Sequence, residues 1–545
     1  MNNKLRPSII IFPSLIFITL IIIGFINAKA FIATLEGWFV ALMTSFGWLI
    51  SIGMLCFIAF MVVLLFHPIG RIKLGGPNAQ PRLTTWQWFS VALCAGIGTG
   101  VVFWGAVEPL LFTMRPAPGL HLTPESNEAV IWAMRTTYLH WTLTPYAIYV
   151  TFGVILAYVC YNLKKDNNVS SGFIPLLGDR AMRGKFASLI DVLTVFAIVG
   201  GVCGSLGFGI LQLGTGMDII FGIKPTYLIH IGICAAIVLV YIGSSISGLR
   251  KGIMWLSDKN AWIFMIMLAF VLFCGPTAYI MNLMTQSTGS YFNNFLESMT
   301  YTAPFPDGEN WPQWWDMFWW TDWLSYGPIM GLFLVRLGYG RTIRSFVIVN
   351  WVLPSLFGFF WFSIFGGTVL HAQLFEGNNL FATYEASGAE AMTFAAFDLV
   401  PFASVVKPIM LITIALSFIT LANSMTSTVA TMSLKDNSGV DEAPMWLKIF
   451  WGVLIGAASL VFTLSGGIDG IKMVKTFAGF PILFVGMVML GGFIWYMAQR
   501  PRNEMNDFVY EDAVANAPDS DEPPLRRSQV FNRISAALKR RISRD

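Results

Sequence analysis

The sequence predicts an all-α integral membrane protein with twelve transmembrane helices, and three observations lead to this fold class. Only 12% of the 545 residues are charged, where soluble domains carry about 25%, and the mean hydropathy is +0.66. Apolar stretches long enough to cross a bilayer recur along the whole chain. The short alternating segments typical of a membrane β-barrel do not occur. Because a helix satisfies its own backbone hydrogen bonds in lipid, these stretches are predicted to be helices.

Twelve segments are long enough to span a hydrocarbon core, which takes about 20 apolar residues. Ten of them contain no Asp, Glu, Lys or Arg: residues 8–28, 47–66, 136–162, 192–217, 225–247, 261–287, 346–375, 408–434, 449–468 and 476–499. The other two contain acidic residues, Glu108 in residues 88–114 and both Asp316 and Asp322 in residues 314–334. Their glycine-rich interruptions suggest broken helices and inverted repeats, with a binding site near the midplane.

Basic residues in the short loops predict the orientation of these helices. Lys and Arg precede the first segment and follow the second, fourth, sixth and eighth, whereas the loop at residues 291–311 contains neither. We therefore expect a multi-pass protein of a bacterial inner membrane with both termini in the cytoplasm.

The last 45 residues differ from the hydrophobic body. An acidic stretch at residues 504–522 has the composition of a solvated linker. The basic stretch that follows, residues 526–544, carries apolar residues at helical spacing: Phe531, Ile534, Leu538 and Ile542. Such a basic amphipathic helix can lie on anionic lipid. A solubilising, positively charged tail is the alternative.

A glycine-rich stretch in the third segment is a candidate for backbone contact with a ligand. Gly96, Gly98 and Gly100 alternate ahead of Glu108. Glycine costs a helix about 1 kcal/mol relative to Ala, and it lets the backbone unwind where it lines a cavity. Close helix packing through small residues is the alternative.

Two aromatic stripes fall on separate predicted helices, the fourth and the eighth. The first stripe holds Trp141, Tyr146 and Tyr149, and the second holds Trp320, Trp323 and Tyr326. Trp141 and Tyr149 are about two helical turns apart, which places both near one face. An interfacial belt or core packing is the alternative for any single tryptophan. Desolvated aromatic rings attract a quaternary ammonium group by about 2 kcal/mol or more, so the two stripes favour a site for such a cation.

Two acids at membrane depth, Glu108 and Asp322, are the remaining candidates for function, because such residues are costly in lipid. Asp322 adjoins the second stripe, where it could balance a cationic substrate, accept a proton or cap the helix. Asp316 is expected nearer the outer interface, in a structural role. No metalloprotease or esterase motif occurs, so the sequence predicts no enzyme activity and no cofactor.

Around these residues the sequence resembles the betaine/choline/carnitine transporter (BCCT) family. The resemblance lies in segments spread over the hydrophobic body: residues 96–109 (GIGTGVVFWGAVEP), 140–149 (HWTLTPYAIY), 205–216 (SLGFGILQLGTG), 248–258 (GLRKGIMWLSD), 333–344 (FLVRLGYGRTIR), 361–368 (WFSIFGGT) and 426–433 (TSTVATMS). It does not extend to the C-terminal tail.

This resemblance implies a LeuT-like fold, with two inverted five-helix repeats after two extra N-terminal helices. The implied domains are residues 1–86 with the two extra helices, 87–290 as the first repeat, 291–500 as the second repeat with its preceding periplasmic segment, and 501–545 as the cytoplasmic linker and tail. It also implies alternating access, a trimethylammonium or similar substrate head, and a homotrimer.

Carried over residue by residue, the resemblance makes the six aromatic residues the substrate box and the three glycines the unwound segment against which the substrate lies. Two positions depart from the family, which usually has Trp at Tyr146 and Tyr326. Asp322 also replaces a Trp of the usual WAWW run. An acid at this position favours trimethylamine N-oxide, or a cation such as choline, over betaine.

The coupling ion, Na⁺ or H⁺, is left open by the resemblance. Sodium-coupled members have hydroxyl residues on the fifth and tenth helices, where this chain has Ile198 and Val202 on the fifth. A weak sodium site would depend on Thr420 and on the backbone near Cys94 and Ile97. Sodium-independent members have Arg at the position of Met254, and this chain lacks it.

Two hypotheses follow from the sequence. The first is a secondary active transporter that takes up small methylated-ammonium osmolytes: betaine, choline, carnitine or trimethylamine N-oxide. The second is a membrane osmosensor or receptor without transport that uses the basic tail. The expected partners are the substrate and membrane lipid, and no nucleic acid.

Overall fold

The computed structural model describes residues 5–97, 100–246, 250–304, 310–434 and 443–499. Within these ranges the chain is helical and contains no strand, apart from isolated bridges between Leu5 and Leu434 and between Lys73 and Thr342. The predicted all-α class is confirmed for this part of the chain. The predicted tail at residues 501–545 and Gly98 lie outside it.

Nine helices form the first part of the structure. They are α1 (Pro7–Ile26), α2 (Ala28–Phe66), α3 (Thr85–Ile97), α4 (Gly100–Met114), α5 (Asn127–Trp141), α6 (Leu143–Tyr161), α7 (Ile174–Leu177), α8 (Gly184–Phe221) and α9 (Tyr227–Ile246). The glycine-rich stretch lies at the junction of α3 and α4. Gly96 is in α3, and Gly100 begins α4.

The second part contains ten more helices. They are α10 (Arg250–Cys274), α11 (Thr277–Asn293), α12 (Phe295–Met299), α13 (Phe318–Gly338), α14 (Ile343–Val347), α15 (Leu353–Phe375), α16 (Leu380–Ser387), α17 (Ala389–Asp398), α18 (Ala403–Met432) and α19 (Met445–Ala498). Short π-helical segments, Gln313–Met317 and Ile348–Val352, lead into α13 and α15.

Seven helical spans among the described residues are long and apolar enough to cross a membrane. They are Pro7–Ile26, Ala28–Phe66, Asn127–Tyr161, Gly184–Phe221, Ile343–Phe375, Ala403–Met432 and Met445–Ala498. The pair Trp262–Cys274 and Thr277–Asn293, bent by 109°, makes an eighth if it is one span. The protein is therefore a multi-pass membrane protein, but this count does not confirm the predicted twelve spans.

Joined and broken helices account for part of this difference. The predicted segments 449–468 and 476–499 both lie in α19, whose 54 residues would extend roughly 80 Å if straight. At Gly467, with φ 55° and ψ −138°, α19 leaves the helical conformation. Such a left-handed φ is accessible to glycine without strain. Conversely, residues 88–114 are divided between α3 and α4.

Helix packing surrounds the two acid-bearing segments. α13 packs against α6, α8 and α19, and α4 packs against α5, α15 and α17. Glu108 of α4 is fully buried, and Asp316 and Asp322 are only 2% and 4% exposed. The acids therefore face other helices, and each requires partners inside the protein.

A break between α5 and α6 shapes the region where the first aromatic stripe lies. Thr142 adopts φ −118° and ψ −108°, so α5 ends at Trp141 and α6 starts at Leu143. The Thr142 hydroxyl donates to the Tyr138 carbonyl at 2.6 Å. Because the last carbonyls of a helix lack partners within it, the end of α5 offers free acceptors to neighbouring helices.

Candidate functional site

The two predicted aromatic stripes meet in the structure. The Trp323 ring centroid lies 5.3 Å from that of Trp141, 5.8 Å from that of Tyr149 and 6.4 Å from that of Tyr146. Tyr146 and Tyr149 are 6.4 Å apart. All four side chains are buried, with at most 7% exposed. We call these residues the four-ring cluster: Trp141, Tyr146, Tyr149 and Trp323.

Trp141 reaches the four-ring cluster by a route that helical periodicity does not predict. The break at Thr142 separates it from Tyr146 and Tyr149, so the three residues do not share one continuous helix. Its indole packs on Gly100, where an added Cβ would lie 2.9 Å from the Trp141 Cη2 atom. Glycine at this position therefore brings the backbone at the start of α4 against the ring.

A hydrogen bond fixes the orientation of Trp323. Its indole Nε1–H donates to the His140 carbonyl oxygen at 3.0 Å. That carbonyl lies in the last turn of α5, which explains why it is free to accept. The end of α5 thus supplies both a ring of the four-ring cluster and the acceptor that holds the opposing ring.

The other two predicted box residues lie differently. The Tyr326 hydroxyl donates to the Gly201 carbonyl at 2.6 Å and lies 2.6 Å from Ser205 Oγ, so it is anchored on α8. Trp320 is fully buried, and among the described residues its ring is not paired with any ring of the four-ring cluster.

Trp319, which the sequence did not single out, contacts the four-ring cluster instead. Its ring centroid is 4.4 Å from that of Trp141, 6.4 Å from that of Trp323 and 5.3 Å from that of Trp104. Its spacing from Trp323 could have indicated this contact, because residues i and i+4 of a helix are neighbours.

Asp322, one residue before Trp323, is not an isolated acid. Lys475 of α19 places its Nζ 2.7 Å from Asp322 Oδ1 and 2.8 Å from Oδ2, and both side chains are at most 6% exposed. Lys475 was not among the predicted site residues because it lies between two predicted spans.

Glu108, His140 and Asp316 form a second buried set, which we call the acid–histidine chain. His140 Nδ1 is 3.1 Å from Glu108 Oε2, and Nε2 is 2.7 Å from Asp316 Oδ1. The imidazole thus joins α4 to the π-helical segment before α13. Asp316, which was expected nearer the outer membrane interface, is buried as a member of the acid–histidine chain.

Lys472 lies beside the acid–histidine chain. Its Nζ is 3.7 Å from the centre of the Trp315 ring and 3.4 Å from the Trp314 carbonyl, and it interacts electrostatically with Glu108. Its position three residues before Lys475 places both ammonium groups on one face of α19. Sequence analysis placed neither lysine in the site.

The residues proposed for a sodium site supply few ligands. The Thr420 hydroxyl donates to the Leu416 carbonyl of its own helix at 2.8 Å. Ile198 and Val202 are buried and offer no side-chain oxygen. The side chains of Cys94 and Ile97 lie outside the described atoms, and the described residues hold no cluster of three or more His, Cys, Asp or Glu suited to a metal.

A separate pocket of about 370 Å³ opens beside α5, away from the four-ring cluster. Its lining is Leu120, Leu122, Asn127, Glu128, Ile131, Trp132, Arg135 and Gln286. Trp132 belongs to another aromatic group, with Phe112 and Trp311. This pocket contains none of the predicted site residues. The candidate site is therefore defined by the buried rings and charges described above.

Comparison with known proteins identifies the family of this chain. A sequence model of the BCCT (betaine/carnitine/choline) family of transporters matches residues 8–502. The glycine betaine transporter OpuD of Bacillus subtilis is 32% identical over 477 residues, which is 87% of this chain and 89% of that protein. A probable glycine betaine transporter of Desulfitobacterium hafniense is 31% identical over 454 residues, 83% of this chain and 89% of its own length.

A third relative transports a different solute. The ectoine/hydroxyectoine transporter of Virgibacillus pantothenticus is 29% identical over 490 residues, covering 90% of this chain and 96% of that protein. The family match covers nearly the whole hydrophobic body, and the relatives are transporters, not enzymes. This protein belongs to the betaine/carnitine/choline family of transporters.

Proposed function

We propose that this protein is a secondary active transporter that takes up small methylated-ammonium osmolytes by alternating access. The candidate solutes are betaine, choline, carnitine and trimethylamine N-oxide. One observation carries the proposal: Trp323 of α13 packs against Trp141, Tyr146 and Tyr149 from α5 and α6. Rings from separate helices offer their π faces to an onium head away from water, where cation–π attraction is strongest.

The LeuT-like architecture is part of this proposal. It assigns residues 87–290 and 291–500 to two inverted five-helix repeats, with two extra helices before them and both termini in the cytoplasm. The interruptions at Thr142, between α10 and α11 and at Gly467 support it, because such transporters build their sites at broken helices. The homotrimer rests on the family resemblance.

The coupling ion is Na⁺ or H⁺ in this proposal. Among the proposed sodium ligands, only Thr420 offers a described side-chain oxygen. The acid–histidine chain supplies buried groups that can exchange protons. A proton gradient is accordingly the more favoured driving force.

Uptake by purified protein in proteoliposomes tests the function. The four solutes are each offered with a sodium gradient, a proton gradient or neither. We expect accumulation of at least one solute that depends on one of the gradients. Failure of all four solutes under every gradient would refute the proposal.

Replacement of Trp323 or Trp141 by alanine tests the site itself. We expect each change to weaken solute affinity by about tenfold, since the cation–π contribution is about 1–2 kcal/mol. Trp495, which is 50% exposed at the far end of α19, gives the matched control, W495A. Wild-type uptake by both W323A and W141A would show that the box is wrongly placed.

A further inference from the structure

The ion pair of Asp322 and Lys475 lies within the wall of the candidate site. Asp322 directly precedes Trp323, a member of the four-ring cluster, on α13. The Lys475 Nζ is 5.6 Å from the centre of the Tyr326 ring and 5.2 Å from that of Phe208. Both charges therefore lie beside aromatic residues of the candidate site.

The packing around Lys475 is built for that side chain. Its stem crosses α8 at Gly204, where any Cβ would collide with the Lys475 Cγ atom. A buried ion pair is often no more stable than apolar residues of similar volume. Ionisable groups at membrane depth are therefore usually functional, and an aromatic box for an onium head does not itself require this pair.

The charges buried around the four-ring cluster come in sets of opposite sign. With one proton in each contact of His140 with a carboxylate, and none on the outer carboxylate oxygens, the acid–histidine chain carries −1. Lys472 contributes +1 and cancels it. Asp322 and Lys475 cancel each other. A cation added to this set would stay uncompensated in a low-dielectric site, whereas a dipolar solute would not.

Lys475 can accept a further partner without leaving Asp322. An ammonium group has three N–H donors, and Asp322 is the hydrogen-bond acceptor that the described residues provide for it. At least one donor is thus left for an oxygen of the solute. A charge-assisted hydrogen bond of this kind is stronger than one between neutral groups.

We infer that Lys475 is the counter-ion for an anionic oxygen of the solute, so that the transporter selects dipolar, net-neutral onium compounds over simple cations. The inference rests on the proposed function and deepens it. It separates betaine, carnitine and trimethylamine N-oxide, which carry such an oxygen, from choline, which does not. It also narrows the expectation from sequence alone, in which Asp322 favoured trimethylamine N-oxide, or a cation such as choline, over betaine.

Two matched ligand pairs test this selectivity with the full-length protein in lipid nanodiscs. Glycine betaine and choline share a trimethylammonium head, and trimethylamine N-oxide and tetramethylammonium have nearly the same size. Affinities are measured by calorimetry. We expect each dipolar member to bind about tenfold or more tightly than its cationic partner. Equal affinities within both pairs would overturn the inference.

Variants of the ion pair locate the effect. K475Q leaves Asp322 uncompensated, so the preference should fall about tenfold or invert in favour of the cations. The double variant K475Q/D322N restores neutrality and should lose the preference without favouring cations, which keeps the test valid if K475Q alone folds poorly. A double variant that retains the wild-type preference would contradict the role of Lys475.

D191N is the matched control, because Asp191 is a buried acid paired with Arg6 at 2.5 Å elsewhere in the structure. It should leave the preference unchanged, and a shift as large as that of K475Q would also contradict the inference. Failure of the wild type to bind any of the four ligands would refute the proposed function as well. Binding of all four, weakened alike by W323A but without a preference, would refute only the inference.

Discussion

The four-ring cluster and the buried charges beside it meet at Trp323, but ring packing stabilises the first and charge pairing stabilises the second. The rings contact one another in tilted and edge-on pairs. The charges come in sets that cancel: Asp322 with Lys475, and the acid–histidine chain with Lys472. An aromatic wall therefore tolerates change at single positions, whereas a buried charge depends on its partner.

Removal of one member of the ion pair should have the largest effect. K475M leaves a buried, uncompensated Asp322, and breaking a buried pair costs about 3–5 kcal/mol. The double variant K475M/D322L replaces both charges with apolar groups and should recover most of that loss. Thermal unfolding of the detergent-solubilised protein measures both. If K475M unfolds at the same temperature as wild type, the stability of the protein does not depend on neutralisation of Asp322 by Lys475.

A smaller loss is expected in the acid–histidine chain. D316N keeps a hydrogen-bond acceptor for His140 but removes the charge, which leaves Lys472 without full compensation. A hydrogen bond to a charged group contributes about 1.5–3 kcal/mol, so we expect a stability loss of that size.

The exposed Arg115–Glu385 pair, with side chains 60% and 50% exposed, supplies the control for this prediction. E385Q makes the same chemical change and should alter stability by about 1 kcal/mol or less. If D316N and E385Q had equal effects, burial would not be what makes the acid–histidine chain sensitive.

The smallest effect is expected on the aromatic side. G100A adds a Cβ 2.9 Å from the Trp141 ring, which must shift by a few tenths of an ångström. We expect solute affinity to fall by roughly fivefold, or about 1 kcal/mol. G232A, where nothing lies within 4 Å, is the control. Binding that is equally unaffected by both changes would show that the position of Trp141 is not tightly constrained.

The sequence identified most of the aromatic side because its signals are local. Trp323 and Tyr149 belong to stripes whose spacing is visible along one helix. Spacing could not show that the chain breaks at Thr142, nor that Trp319 contacts Trp141 while Trp320 does not. Those outcomes depend on how α13 is rotated against α5 and α6, which packing across the whole bundle sets.

Only some of the buried charged residues could be recognised from the sequence. Glu108 and Asp322 stood out as acids within apolar segments, but Lys475 lies 153 residues beyond Asp322 along the chain. Asp316 was noted and His140 was not, and their contact joins two segments far apart in sequence. No local pattern predicts a pairing of this kind, because the partner of a buried charge is whichever group the fold brings within reach.

By itself the sequence determined that the protein is helical and membrane-embedded, that it belongs to a family of transporters, and which aromatic residues form much of the candidate site. Burial of apolar surface in lipid and helical periodicity act over a few residues and can be recognised there. Only the tertiary structure decided that Asp322 is neutralised by Lys475, that His140 links two acids, and that the end of α5 holds Trp323 in place. Each of these depends on contacts between distant segments, and in a low-dielectric interior such contacts set the net charge that a solute meets.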